Sequence, residues 1–392
     1  MRILLVLEAT LGGTGRYILD LAGGLLDRGH EVHLVYSGLR ADYGFHSGLE
    51  VLESEPAFHS RSMPMTREVS FSDIACLRRF SSYVRVHGPF DMIHAHSTKA
   101  GFLARLVPNR GGARMLYSPH GLMTLNPHLS GLRRSAVAAL EATLAHFCDA
   151  VVTVSLSEFR CAIKTGIRLE KLIGIPNGLN SAHAPRAERR DLIRTALGLT
   201  GDTICIGSVG LLVPNKEPGR LLDAFARLKQ QTARPTKLAI VGSGSLEHHL
   251  RRQAAQLGLT REILFLGQVN GPDFIPAFDI LAHTSRYEAF GYVLLEALLA
   301  GIPVVTTRVG AAEELITSGV NGYICDPWSV ETFASALGLL AENKALRRSM
   351  ASAARDRAAW FSADRMVDGT VDLYNRILNR AHASPGLPAA AR

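Results

Sequence analysis

Short apolar runs closed by polar or turn residues recur along this chain and alternate with stretches of helical periodicity. Residues 2–7 (Arg2-Ile3-Leu4-Leu5-Val6-Leu7) predict a first strand, and the turn Leu11-Gly12-Gly13-Thr14-Gly15 follows it. Ile18, Leu21, Ala22, Leu25 and Leu26 then fall on one helical face that stops at Gly29. Glu31 to Tyr36 predicts the next strand, so strand, glycine loop, helix and strand make a βαβ unit of a parallel sheet. Further strands are predicted at residues 92–96, 114–118, 150–154 and 172–175. From Asn177 to about Arg190 the chain turns rich in Asn, Gly, Pro, Arg and Glu and loses periodicity, which predicts a linker with its boundary between Ser181 and Glu188. A second series at 203–209, 237–241, 263–266, 280–282 and 304–306 predicts a second parallel sheet. The pattern is therefore α/β, with two doubly wound domains at residues 1–183 and 184–363. Such sheets bind ligands at the carboxyl ends of their strands.

Length agrees, because 392 residues exceed what one core usually holds. With 47% hydrophobic and 20% charged residues the composition is that of a globular protein. The apolar start is too short for a secretory signal and runs into Glu8, and no uncharged run approaches the length of a membrane-spanning helix. Any membrane role is then expected to be peripheral. Five scattered cysteines fit neither a disulfide framework nor a Cys-x-x-Cys metal site, which points to the reducing cytoplasm. The net charge of +8 would suit an anionic lipid surface, nucleic acid or nucleotide substrates. Residues 1–185 hold 19 basic and 15 acidic side chains and the rest 24 and 20, so neither half is a basic arm and a nucleic-acid partner is not expected.

Candidate chemistry concentrates at strand ends. Glu288 and Glu296 lie eight residues apart around the apolar segment that opens near Gly291. With Val293, Leu294, Leu295, Leu298 and Leu299 burying that helix, two carboxylates need polar partners, and a polyhydroxylated ligand would supply them. The bland reading is a pair of solvated helix charges. The Gly12-Gly13 loop offers unobstructed amides at a helix start, a geometry for an anion, or it is only a steric need of βα packing. Tyr117-Ser118-Pro119-His120-Gly121 ends a strand with a histidine in a tight turn. Asp91 to Lys99 carries His94 and His96 on one side of a strand, which reads as a polar wall formed with Lys99 rather than as a metal site, since no further ligand pattern accompanies them. Lys99 read blandly is a solvated cap. Gly210 opens the loop after the first strand of the second domain, and Lys216 closes it.

Glu288, Phe290-Gly291, Glu296 and Ala300-Gly301-Ile302-Pro303-Val304-Val305 together resemble the signature of glycosyltransferase family 4, the retaining sugar transferases of the GT-B fold. The resemblance spans the whole chain, with further matches at Gly242-Ser243-Gly244, at Gly310 to Ile316 and at Asn321-Gly322-Tyr323. It implies two Rossmann-like domains facing a central cleft, the first binding the acceptor and the second the donor. It also implies a last helix, about 364–380, that crosses back to the first domain, and a flexible tail at 381–392. By this resemblance His120 contacts the donor sugar near the reacting carbon, and Glu288 lies beside sugar and diphosphate. Glu296 holds the ribose hydroxyls, to which a carboxylate is a natural acceptor. Gly12 and Gly13 then lie by the diphosphate, the amides of Phe290 and Gly291 meet phosphate oxygens, and His96 and Lys99 form the acceptor-side wall.

Ser243 stands where the family commonly has an aspartate and Ala289 where it has a glycine, and two further departures fall in the loop from Gly210 to Glu217. Where the family reads Gly-Arg-Leu and ends in Lys-Gly, this chain has Gly210-Leu211-Leu212 and Lys216-Glu217. The arginine and lysine together neutralise the donor pyrophosphate, and loss of one site donor is worth roughly 3–4 kcal/mol. Arg286 and Arg16 are the candidates to replace it. The resemblance implies a nucleotide-diphosphate sugar donor, a UDP-sugar first and a GDP-sugar second, and no cofactor or essential metal. The acceptor is expected to be a lipid-linked glycan in cell-surface polysaccharide synthesis, at the inner face of the cytoplasmic membrane with peripheral contact to anionic lipid. The rival readings are a nucleotide-sugar epimerase or hydrolase of the same fold, and a non-catalytic nucleotide- or glycan-binding subunit motivated by Leu211.

Overall fold

The protein is described by a computed structural model covering residues 1–382 apart from 67, 69, 109, 181–184, 186 and 326–328. Most of the expected domain boundary and the tail from residue 383 lie outside these described residues. Two compact units are present. One holds residues 1–154 and 158–178 and takes in the C-terminal segment from Ala363; the other is Leu179–Ser362 with Ser155–Ser157. The two ends of the long segment of the second unit meet, since Leu179 N–H donates to Phe361 O at 2.9 Å and Leu179 pairs with Ser362.

The first unit is built on seven parallel strands: β1 (Arg2–Leu7), β2 (Glu31–Tyr36), β3 (Phe58–Ser62), β4 (Met92–His96), β5 (Arg114–Ser118), β6 (Ala150–Thr153) and β7 (Leu172–Gly174). They lie in the order β3-β2-β1-β4-β5-β6-β7, with Leu7 level with both Tyr36 and His96. The second unit carries β8 (Ile204–Val209), β9 (Thr236–Val241), β10 (Ile263–Gly267), β11 (Ile280–His283), β12 (Val304–Thr307) and β13 (Gly322–Cys325) in the order β10-β9-β8-β11-β12-β13. In both sheets the order reverses beside the first strand, so the loops after β1 and β4, and after β8 and β11, diverge and leave a crevice at the carboxyl ends. Each unit has its own core. Leu4, Val6, Ile93, Met115 and Tyr117 lie in one, and Ile206, Phe225, Leu238, Ile280 and Leu337 in the other.

The C-terminal helix runs Ala363–His382, longer at both ends than the pattern suggested. Met366, Val367, Thr370, Leu373, Tyr374 and Ile377 are buried along one face of it. That face packs on the helix Gly13–Asp27, where a Cβ on Gly24 would stand 2.6 Å from Val367, so only glycine permits this approach. Arg28 closes the contact by donating to Asp368 from Nε and Nη2 at 2.9 and 2.6 Å. Deeper in, Tyr374 Oη hydrogen bonds with His94 Nδ1 at 2.7 Å, both side chains being fully buried.

Removing that hydroxyl strands a buried imidazole nitrogen. Tyr374→Phe is expected to destabilise the protein by about 1–3 kcal/mol in urea denaturation. An unchanged midpoint would show that the pair adds nothing to the packing of this helix.

Candidate active site

In the first unit the polar groups gather where β4 and β5 end. His94 Nε2 hydrogen bonds with Ser118 Oγ at 2.8 Å, and His96 Nδ1 with His120 Nε2 at 3.0 Å. The rings of His94 and His96 are 4.0 Å apart, on the same side of the strand as period-two geometry requires, and Tyr17 stands edge-on to His120 at 4.5 Å. Burial drives all three imidazoles toward the neutral form, with His120 adding to the effect on His94, which is lowered to about 3. Ser97 and His120 are non-glycine residues in the left-handed region, with φ of 76° and 50°. Backbone of this kind persists where the surroundings over-determine it, commonly at functional sites. His96 Nε2 and Ser97 Oγ are moreover buried polar atoms without a hydrogen-bond partner.

The His120 turn is clamped from below by Glu158. This fully buried carboxylate accepts N–H groups from Gly121 at 2.6 Å, Leu122 at 3.2 Å and Val154 at 3.0 Å. Burial raises its pKa and the three amides only partly offset that. Lys99 corrects an expectation: it is neither an acceptor-side wall nor a solvated cap. Its ammonium lies buried against both Asp73 oxygens at 2.8 and 2.6 Å and the Glu68 carbonyl at 2.7 Å, so its three donors are taken. The Gly12 amide likewise donates to Asp42 Oδ2 at 3.1 Å, while Gly13 opens the helix Gly13–Asp27.

In the second unit two loops are sewn together. Thr284 Oγ1 donates to the Lys216 and Glu217 carbonyls at 3.0 and 3.2 Å, and Arg286 N–H to Asn215 O at 2.8 Å. Across this seam Lys216 Nζ donates to Glu288 Oε1, the oxygen that also accepts from Ser285 Oγ at 2.8 Å and lies 3.1 Å from His283 Nε2. Burial pushes the Glu288 carboxyl up, but Lys216 and then His283 outweigh it and hold it well below the usual carboxylate range. Glu288 is thus a fixed anion. Gly291 (φ 93°) caps the eight-residue helix Tyr292–Leu299, and Glu296 is buried on its second turn. Phe290 is buried and its carbonyl accepts from Ala311 N–H at 2.9 Å.

The Gly210 loop is held by backbone alone. Gly210 N–H donates to Val241 O and Leu212 N–H to Ser243 O, both at 2.9 Å, and a Cβ on Gly242 would fall 2.0 Å from Gly210 O. The Gly242-Ser243-Gly244 turn therefore serves this close approach. Leu211 is half exposed. Glu217 adopts φ 45° and ψ 46°, a left-handed conformation natural to glycine, and turns its carboxylate to Arg286 Nε and Arg220 Nη1, both at 3.1 Å. The departures at Leu211 and Glu217 thus come with a guanidinium drawn to the Lys216 loop.

Residues 11–183 match the family described as Glycosyltransferase Family 4 and residues 189–357 that described as Glycosyl transferases group 1. A D-inositol 3-phosphate glycosyltransferase of Corynebacterium urealyticum is 30% identical over 78% of this chain and 76% of its own length. The chain belongs to these glycosyltransferases. A Salinispora arenicola protein of the same name is 29% identical over 93% of this chain and 87% of its own. Among solved structures, Anabaena HepE in complex with UDP and glucose superposes with a TM-score of 0.81 at 24% identity, covering 96% of this chain and all of that one. The fold is GT-B, and the protein is an enzyme that transfers a glycosyl group.

In this glycosyltransferase the structure brings His96 to His120 and Lys216 to Glu288, pairs that are 24 and 72 residues apart in sequence. Sequence reasoning missed Glu158, His283 and Ser285. For Glu158 the available signal was an acid in the first turn of the amphipathic helix Leu156–Lys164 that follows β6. Among the described residues one trio, Glu31, His33 and His59, has the spacing of metal ligands, but Glu31 already accepts from Arg2 Nε at 2.8 Å.

The neutral histidines make stability depend on pH. In the unfolded chain His94 titrates near 6.5 and in the folded one near 3, so below pH 6.5 the unfolded state gains a proton the native state refuses. Stability falls with pH across that window, by about 2 kcal/mol at pH 5 for this one residue. Guanidinium unfolding at pH 7 and pH 5 should show this loss in the wild type and a smaller one in His94→Gln; equal losses would refute it.

Proposed function

We propose that this glycosyltransferase moves a sugar from a UDP-sugar to a hydroxyl of a lipid-linked glycan in cell-surface polysaccharide synthesis, with retention of anomeric configuration and release of UDP. The observation that carries the reading is the Lys216–Glu288 pair, fixed by Ser285 and set three residues before the cap of the Glu296 helix. UDP is favoured over GDP because HepE was solved with UDP and with UDP-glucose. The bond from the anomeric carbon to the diphosphate breaks as the acceptor oxygen bonds to the same face, and the acceptor proton passes to the departing phosphate oxygen. Lys216 and the amides of Phe290 and Gly291 stabilise the leaving charge, with Glu288 holding Lys216 in place. Neutral His120 hydrogen bonds the sugar without adding charge beside a developing oxocarbenium ion, and Glu296 takes the ribose hydroxyls. Arg286, anchored by Glu217, supplies the cation that Leu211 lacks. Gly12 and Gly13 line the diphosphate once Asp42 releases the Gly12 amide. Lys216 and Arg286 are the cations offered to the diphosphate, and the proposed step calls on no metal.

A second acceptor reading is a phosphorylated polyol, favoured by the relatives named D-inositol 3-phosphate glycosyltransferases. Peripheral membrane contact at the inner face rests on exposed Phe71 and Ile74 beside Arg78, Arg79 and Arg85, and on exposed Leu132 beside Arg133 and Arg134. Among the described residues no helix is long and apolar enough to cross a membrane.

Thermal shifts with UDP, GDP, ADP and their sugars should single out UDP, and Glu296→Ala should abolish the shift. Stabilisation that persists in Glu296→Ala would overturn the ribose assignment. Arg286→Gln should lower kcat about 100-fold, and adding Leu211→Arg should recover most of it. Failure of that rescue would place Arg286 outside the reaction. Mass spectrometry of products from inositol phosphate and from lipid-linked glycan decides between the acceptors.

A further inference from the structure

At the amino-terminal ends of β5 and β6, the end of the sheet opposite His96 and His120, the first unit carries an open cavity of about 610 Å³. Arg105, Arg110, Arg114, His146 and Lys171 line it, and Asp149 is the single acid among its lining residues. Two of the cations are neutralised. Arg105 Nη1 donates to Glu141 Oε2 at 2.9 Å, and Arg114 Nη1 lies 3.3 Å from Asp149 Oδ1, whose other oxygen accepts Met115 N–H at 2.8 Å.

Arg110 and Lys171 differ. Arg110 donates to the carbonyls of Phe147 at 2.9 Å and Arg105 at 2.6 Å, and Lys171 to that of Cys148 at 2.6 Å. Carbonyl oxygens fix these side chains without cancelling their charge, so about two positive charges remain at the cavity. The guanidinium of Arg105 is itself closed off, 1% exposed and with its Cζ 4.0 Å from the centre of the Tyr117 ring, so the cavity presents Arg110 and Lys171.

We propose that this cavity is a binding site for a phosphate group, separate from the transfer site. A carboxylate would offset one of the two charges, whereas a phosphomonoester offsets both and offers oxygens to Arg110 and Lys171 together. The volume exceeds a bare phosphate, so the group is carried on a larger molecule. Phe147, half exposed on the lining, gives that molecule an apolar surface to rest on. Two sources share this chemistry, a soluble phosphorylated metabolite and the headgroup of an anionic lipid.

The test uses the full chain and two probes: inorganic phosphate by calorimetry, and phosphatidylcholine vesicles with and without phosphatidic acid by co-sedimentation. The wild type should bind at least one probe saturably, and Arg110→Gln with Lys171→Gln should weaken it by at least about tenfold. The charge-preserving pair Arg110→Lys and Lys171→Arg should retain binding, which separates lost charge from lost fold. Loss of vesicle binding identifies a headgroup, and loss of free phosphate binding alone a soluble ligand; both support the site. Saturable binding of neither probe, or equal affinity in the wild type and the doubly neutralised variant, overturns it.

Discussion

A parallel sheet covered on both faces has no room for an isolated charge, so every ionisable group that enters it must arrive neutral or paired. This constraint shapes both units. In the first, three histidines at the ends of β4 and β5 stay uncharged and bond to Tyr374, Ser118 and each other. In the second, Glu288 keeps its charge because Lys216 is bonded to it and His283 stands beside it. One crevice therefore offers neutral imidazoles and the other a fixed ion pair, a division that suits a reaction in which charge leaves with a phosphate and not with the sugar.

Most strands were legible to within a residue because parallel strands buried on both sides are continuous apolar runs. The two that were missed show the limit of that rule. β3 reads Phe58-His59-Ser60-Arg61-Ser62, an edge strand with only its first residue buried, and β13 is a short Gly-Tyr-Ile-Cys edge. Both are strands by virtue of their neighbours rather than their own composition. The site followed the same logic. Glu288, Lys216 and His120 stood out as polar residues at strand ends, whereas Glu158, Asp73 and His283 matter through partners that no local spacing reveals. Lys99 looked like a wall of the site until Asp73, 26 residues away in sequence, was found against it.

Glu217 shows how a departure from a family pattern can be coherent. A left-handed glutamate at a glycine position costs of order 1 kcal/mol of backbone energy. Its carboxylate in return anchors Arg286 and Arg220 beside the Lys216 loop. Glu217, odd when read singly, is the residue that holds both guanidinium groups there.

The C-terminal helix also sets an order of events at the ribosome. The first unit holds its sheet by Gly178, yet the helix that covers Gly24 and reaches His94 is made only after the whole second unit has been translated. At about 5–20 residues per second that is a delay of roughly 10–40 s, during which the face awaiting Val367 and Tyr374 is open to water. The amino-terminal domain is thus the first to be synthesised and the last to be finished, and the nascent chain must keep an unclosed apolar surface from aggregating while the second domain forms.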